Sequence, residues 1–281
     1  MRMLLHSIMS SRQRTIYELE REVDFSLAME DGQRFRVNAY FQKGQMAAAM
    51  RAIPAQIPDP NTLRIPSSVL SMAEKPHGLI LIVGPTGSGK STTMACLIDR
   101  INRSRACRII TIEDPIEYTH RSIMATIDQR EVFADTLSFS AALKYILRQD
   151  PDVVLVGEMR DLETIQSALT AAETGHLVMA TLHTNDAVQS VDRMVDVFPS
   201  HQQSQIRSQL ASSLQAVISQ RLLSRADGRG RIAAFEVMIG TNAIRNLIRE
   251  NKMHQALGVM EASQSDGMVT MDRTLADLLE K

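Results

Sequence analysis

Hydrophobic positions recur along this chain with two different periods, and the change from one to the other divides it. Residues 22–41 alternate apolar and polar, with a break at Asp31-Gly32, a pair suited to a tight turn between antiparallel strands. Phe35, Val37, Ala39 and Phe41 then share one face of the second strand. Arg34, Arg36, Asn38 and Tyr40 share the other, either a solvated face or an interface. Pro54, Pro58, Pro60 and Pro66 follow. Proline fixes φ and removes a backbone donor, so 54–66 is predicted to be a semi-rigid linker between a small domain, 1–53, and a larger one, 67–281.

Beyond the linker, short apolar runs recur at 79–83, 108–112, 153–156 and 177–182, separated by helical patterns near 91–103, 137–148 and 161–174. This alternation predicts an α/β domain, a mostly parallel sheet covered by helices. Ligands of such sheets sit beyond the carboxyl ends of the strands. Gly84, Glu113, Glu158 and His183 all fall at such ends, so four separate segments should converge on one edge. Residues 202–223 read as one long amphipathic helix, 231–238 as a further strand and 241–280 as a mainly helical tail.

The loop after the first of these strands carries the most specific chemistry. Gly84, Pro85, Thr86, Gly87, Ser88, Gly89, Lys90, Ser91 and Thr92 satisfy G-x-x-x-x-G-K-[ST] at every fixed position, between a buried strand and a helix. Glycines let successive N–H groups face phosphates, Lys90 reaches the outer phosphates, and the Ser91 hydroxyl suits Mg²⁺. A nucleoside triphosphate is the expected ligand.

Three further blocks add to this. In Thr111-Ile112-Glu113-Asp114-Pro115-Ile116-Glu117, the proline ends regular pairing, so the acids should project at the sheet edge. One, Glu113, can orient an attacking water while another, Glu117, attends Mg²⁺; the alternative is a solvated acidic turn. Val153-Val154-Leu155-Val156-Gly157-Glu158 is an apolar strand ending in an acid, which makes Glu158 the strongest candidate for the catalytic carboxylate. Asp161 suits a helix cap. His176 and His183 lie at opposite ends of one strand and cannot touch the same phosphate. His183 is placed to sense a γ-phosphate or to join subunits, a structural histidine being the alternative.

Composition narrows the class. Lysine and arginine number 31 against 32 acidic residues, so no global basic field points to nucleic acid, and a nucleic-acid motor on the same type of core is the minor reading. Cys96 and Cys107 have neither zinc-site nor disulfide-framework spacing, which suits a reducing cytoplasmic setting and no zinc. No apolar run approaches the roughly 20 residues of a membrane span, so membrane association would have to come through a partner or a surface.

The four blocks in this order resemble the secretion ATPase superfamily, with a Walker A loop at 84–92, an Asp-box at 111–117, a Walker B strand at 152–158 and a His-box at 175–185. Ala243-Ile244-Arg245-Asn246-Leu247-Ile248-Arg249-Glu250 and Ser265-Asp266-Gly267-Met268-Val269-Thr270-Met271-Asp272 resemble motifs of its type IV pilus retraction branch. The resemblance implies a RecA-like P-loop ATPase domain with a small PAS-like α+β N-terminal domain. It also implies a homohexameric, Mg²⁺- and ATP-dependent motor, peripheral at the cytoplasmic face of the inner membrane, that acts with a membrane platform protein. Assembly and type II secretion ATPases of the superfamily usually carry a tetracysteine zinc insertion, which two cysteines cannot build. Family members begin with a longer N-terminal domain, so the small domain is expected to be truncated here. The part that matches supplies arginines to a nucleotide site in the hexamer, which makes Arg36 and Arg51 candidates for γ-phosphate contacts.

Overall fold

The computed structural model describes residues 2–30, 33–54 and 56–280. The chain divides into two compact units: 1–57 with 115–119, and 58–114 with 120–281. The first break falls inside the proline-rich stretch.

In the first unit, α1 (Arg2–Ile8) and α2 (Ser11–Glu20) precede an antiparallel sheet of β1 (Glu22–Ala28), β2 (Arg34–Gln42) and β3 (Gln45–Ile53), in the order β1-β2-β3. Ser10 caps α2 by accepting from the Gln13 amide while the Gln13 side chain accepts from the Ser10 amide, a capping box. The alternation of β2 buries Val37 and Ala39. These pack with Leu5, Met9, Tyr17, Val23 and Phe25 into a small core, against which Phe35 and Phe41 also lie. Tyr17 stacks on Phe41 at 5.0 Å and its hydroxyl donates to the Tyr40 carbonyl at 3.0 Å, so its polar end is satisfied although the residue is buried. The Asp31-Gly32 turn lies outside the described residues, but the strands it joins pair from Glu22↔Tyr40 to Ala28↔Arg34. A second hairpin, absent from the sequence reading, joins β2 to β3 through Lys43-Gly44. Their φ angles of 51° and 77° place both turn residues in the left-handed region, as the favoured two-residue hairpin turn requires.

The second unit begins with the short helix α3 (Ser67–Leu70) and then alternates: β4 (Gly78–Val83), α4 (Lys90–Ser104), β5 (Arg108–Glu113), β6 (Thr126–Glu131), α5 (Phe139–Ile146), β7 (Val153–Val156), α6 (Leu162–Glu173), β8 (Leu177–Leu182), α7 (Ala187–Asp196) and α8 (Ser200–Ser213). It closes with β9 (Leu214–Ser224), β10 (Arg231–Ile239), α9 (Asn242–Arg249), α10 (Ala256–Ala262) and α11 (Met271–Leu279). The seven strands lie in the order β10-β9-β4-β8-β7-β5-β6, all parallel to their neighbours except β10 against β9. Every residue of β4, β7 and β8 is buried, which explains why these strands read as continuous apolar runs rather than alternations.

The helix expected over 202–223 ends at Ser213, and 214–224 is instead a strand beside β4. Apolar residues at 206, 210, 214, 217 and 218 satisfy a helical period, and local pattern cannot exclude it. Pairing decides the matter: Leu214, Ala216, Val217 and Ile218 are fully buried, and the strand's backbone bonds run to β4 on one side and β10 on the other. In α9 the buried residues are Ile244 and Ile248, one turn apart, while Asn242, Ala243, Asn246, Arg249 and Glu250 face outward. Among the described residues no helix is long and apolar enough to cross a membrane.

Candidate functional site

Strand order turns separate sequence blocks into neighbours. The carboxyl ends of β4, β8, β7 and β5 are adjacent, and they carry in that order the glycine-rich loop, His183, Glu158 and Glu113. Val83 pairs with Leu182, Val156 with Ala180, and Ile112 with Val156, so the segments leave the sheet nearly level.

Gly84 starts the loop at φ 141°, and a Cβ there would stand 2.3 Å from the Gln220 carbonyl of β9. Only glycine satisfies both the angle and the space. Gln220 is a second support that the sequence did not reveal: it is buried, and its Oε1 accepts from the Thr93 hydroxyl of α4 at 2.7 Å. The loop is thus braced on the strand whose existence the periodicity had hidden. Lys90 is buried as well, its Nζ donating to the carbonyls of Gly84 at 2.7 Å and Pro85 at 3.1 Å. The Ser88 hydroxyl is buried and finds no hydrogen-bond partner among the described residues, an orphan polar atom inside a loop that opens the fifteen-residue helix α4. A loop with a buried lysine, an unsatisfied hydroxyl and the positive end of a helix fits an anion of phosphate type.

Two open clefts flank this loop. One, about 450 Å³, is lined by Pro85, Thr86, Glu158, Arg160, His183 and Asn185. The other, about 410 Å³, is lined by Pro85 to Ser88 together with Asn185, Arg221, Leu222 and Leu223. In the first, the Glu158 carboxylate lies 3.1 Å from His183 Nε2 and pairs with the Arg160 guanidinium. Arg160 is largely exposed, and its bond to Glu158 raises its pKa further. Gly157 brings β7 close to β5: a Cβ there would lie 3.1 Å from the Ile112 carbonyl and 3.2 Å from Glu113 Cα.

Glu113 is oriented differently from Glu158. Its Oε1 accepts from the Thr111 hydroxyl at 2.7 Å and from Gln129 Nε2 at 3.1 Å, and it does not line either cleft. Gln129, on β6, also accepts from the His120 amide at 2.8 Å, so one side chain staples both sides of the Asp-box loop. Nothing in its local pattern marks it. Burial pushes the His120 pKa down to about 4, so this ring is neutral at ordinary pH.

The remaining candidates separate by unit. Glu117 lies in 115–119, the segment that clusters with the first unit. Arg36 and Arg51 are directly opposed on β2 and β3 and both are exposed. Like charges opposed on a sheet repel, so the pair favours an anion between or above it. His176 sits before β8 with Nδ1 2.9 Å from the Ala171 carbonyl, a local structural bond. Asp161 caps α6, accepting from the Thr164 amide at 2.8 Å.

Ser91 follows Lys90 in the first turn of α4, where the loop enters the helix. Among the described residues no group of three or more His, Cys, Asp or Glu is placed to hold a metal ion. A serine hydroxyl beside bound phosphate oxygens fits Mg²⁺, which takes few protein oxygens and completes its shell with phosphate and water. Cys96 and Cys107 are both free thiols, and burial pushes the Cys96 pKa up to about 11, leaving it protonated and unreactive.

Residues 64–276 match the family described as Type II/IV secretion system protein. The chain is 51% identical over 278 residues to a twitching motility protein of Neisseria gonorrhoeae, covering 99% of this chain and 74% of that protein. It is 50% identical over 278 residues to the type IV pilus retraction ATPase PilT of Pseudomonas aeruginosa, covering 99% and 80%. Among solved structures, it superimposes with a TM-score of 0.93 on the pilus retraction motor PilT with bound ADP, at 50% identity, covering 99% of this chain and 79% of that one.

Proposed function

This chain belongs to the Type II/IV secretion system protein family, and from that premise we propose that it is an ATP-hydrolysing motor that drives type IV pilus retraction and twitching motility. The observation that carries the reading is the cleft in which Pro85 and Thr86 of the phosphate loop face Glu158 and His183 across the carboxyl ends of adjacent strands. Phosphoryl transfer needs positioning and charge neutralisation more than covalent chemistry, and this cleft offers both.

The loop amides, Lys90 and Ser88 bind the phosphates. Ser91 would hold Mg²⁺; when bound, the ion neutralises charge on the phosphates. Glu158 orients the attacking water and accepts its proton, and the Nε2 contact from His183 holds that carboxylate in place. Glu113, anchored by Thr111 and Gln129, acts as a second acid at the same edge. Arg36 and Arg51 contribute guanidinium groups to the γ-phosphate of a neighbouring subunit in a homohexamer, which accounts for keeping two like charges in register. The motor works at the cytoplasmic face of the inner membrane against a platform protein, without zinc or nucleic acid.

If this arginine role holds, Arg36→Ala and Arg51→Ala should each lower turnover, on the order of 10²-fold or more, with nucleotide affinity little changed. Equal turnover in a steady-state phosphate-release assay would remove them from the site. The proposal as a whole is tested by deleting the gene: loss of a retraction motor leaves hyperpiliated, nonmotile cells. Bald cells would reassign the protein to pilus assembly, and unaltered piliation and motility would overturn the reading.

A further inference from the structure

Glu236 is a buried acid for which the chemistry above has no use. It lies on β10 at 7% exposure, and its two oxygens are shared between two helices. Oε1 accepts from the Ala187 amide, the first residue of α7, at 2.8 Å. Oε2 accepts from the Met271 amide, the first residue of α11, at 3.3 Å. Burial raises its pKa, and the two amides act against that shift. The positive ends of two helices thus converge on one carboxylate, which stabilises its charge.

What precedes α7 is the catalytic edge itself. His183, Thr184, Asn185 and Asp186 form the turn between β8 and α7, and Asn185 lines both clefts. The turn is held at several points: Ser219 of β9 donates to the Asn185 carbonyl at 3.1 Å, Ser190 donates to the Asp186 carbonyl at 2.6 Å, and Asp186 caps α7. Helix α11 is held on β10 independently, through the Thr274 hydroxyl on the Phe235 carbonyl at 2.6 Å and paired bonds between Val237 and Val269.

We propose that Glu236 is a positioning residue for the His183–Asn185 turn, tying it to the C-terminal helix α11 so that this helix forms part of the support of the catalytic edge. The inference rests on the assignment of that turn to the hydrolytic site. The Glu236 carboxylate touches no substrate and acts only through the α7 terminus, and its second bond fixes its direction. An amide in its place keeps the shape but turns a donor towards one of the two N–H groups.

The test uses the full chain and two variants. Glu236→Gln should lower kcat about tenfold, the scale of one hydrogen bond to a charged group, with KM and nucleotide affinity near wild type. Met271→Pro removes only the second donor. Proline is tolerated at the first helical position, and Thr270 before it is already extended at ψ 157°. It should lower kcat in the same direction by a smaller factor, and adding it to Glu236→Gln should lower kcat no further. In labelled protein the His183 imidazole signals should shift in both variants, a readout independent of turnover. Wild-type kcat in folded Met271→Pro, additive losses in the double variant, or unshifted His183 signals would overturn the proposal. Wild-type protein without ATPase activity would instead count against the functional reading.

Discussion

Replacing Glu158 with glutamine is expected to leave nucleotide affinity near the wild-type value and to reduce ATP turnover by roughly 10²-fold or more, the scale of a lost general base. The geometry separates the two effects. The proposed phosphate cradle, 84–92, lies at the end of β4, whereas Glu158 faces that loop from the end of β7, two strands away in the sheet order. Glutamine retains the length and the acceptor that His183 Nε2 meets at 3.1 Å, but it cannot take a proton from water. Stability should change little, because glutamine keeps the side-chain volume at a position only 18% exposed, and Arg160, 77% exposed, returns to water when the pair is lost. Steady-state phosphate release and titration with a fluorescent ATP analogue measure the two quantities. Near-normal turnover would move the catalytic role to Glu113.

Lys90→Ala is expected to act on binding as well as on turnover. The Lys90 ammonium is buried and held by the Gly84 and Pro85 carbonyls, a position from which it can turn to phosphate oxygens. A hydrogen bond to a charged group is worth about 1.5–3 kcal/mol, so one lost contact weakens nucleotide binding by roughly 10- to 150-fold. The substitution also removes the strap across the loop, so thermal unfolding should be recorded alongside. Unchanged affinity in a folded protein would sink the assignment of this loop as the phosphate cradle.

The candidate site was legible wherever its chemistry is local. The loop 84–92 carries its own conformational logic, its glycines being demanded by the positive φ angles of Gly84, Gly87 and Gly89. Glu113, Glu158 and His183 each end an apolar strand, and parallel strands covered by helices bring such ends to one edge. The supports of those residues were not legible. Gln129, Gln220 and Glu236 are polar residues on strands, with no motif around them, and each acts on another element, Gln129 reaching Glu113 across 16 positions and Gln220 reaching Thr93 across 127.

The one misread element has the same origin. Residues 214–224 hold an apolar spacing that fits helix and strand alike, and the choice was made by backbone pairing with β4 and β10 rather than by anything within the segment. Likewise, alternation put Arg36 on the polar face of β2, but its register with Arg51 followed from the Lys43-Gly44 turn.

By itself, then, the amino-acid order determined the phosphate loop, the acids and histidine at the strand ends, and the α/β alternation, because each rests on interactions among residues a few positions apart. Tertiary structure alone decided that β9 is a strand, that Glu158 rather than Glu113 faces the loop, that two arginines stand opposed, and that one buried carboxylate joins two helix ends. These depend on which buried polar groups find partners across the fold, and that is settled only when the whole sheet is assembled.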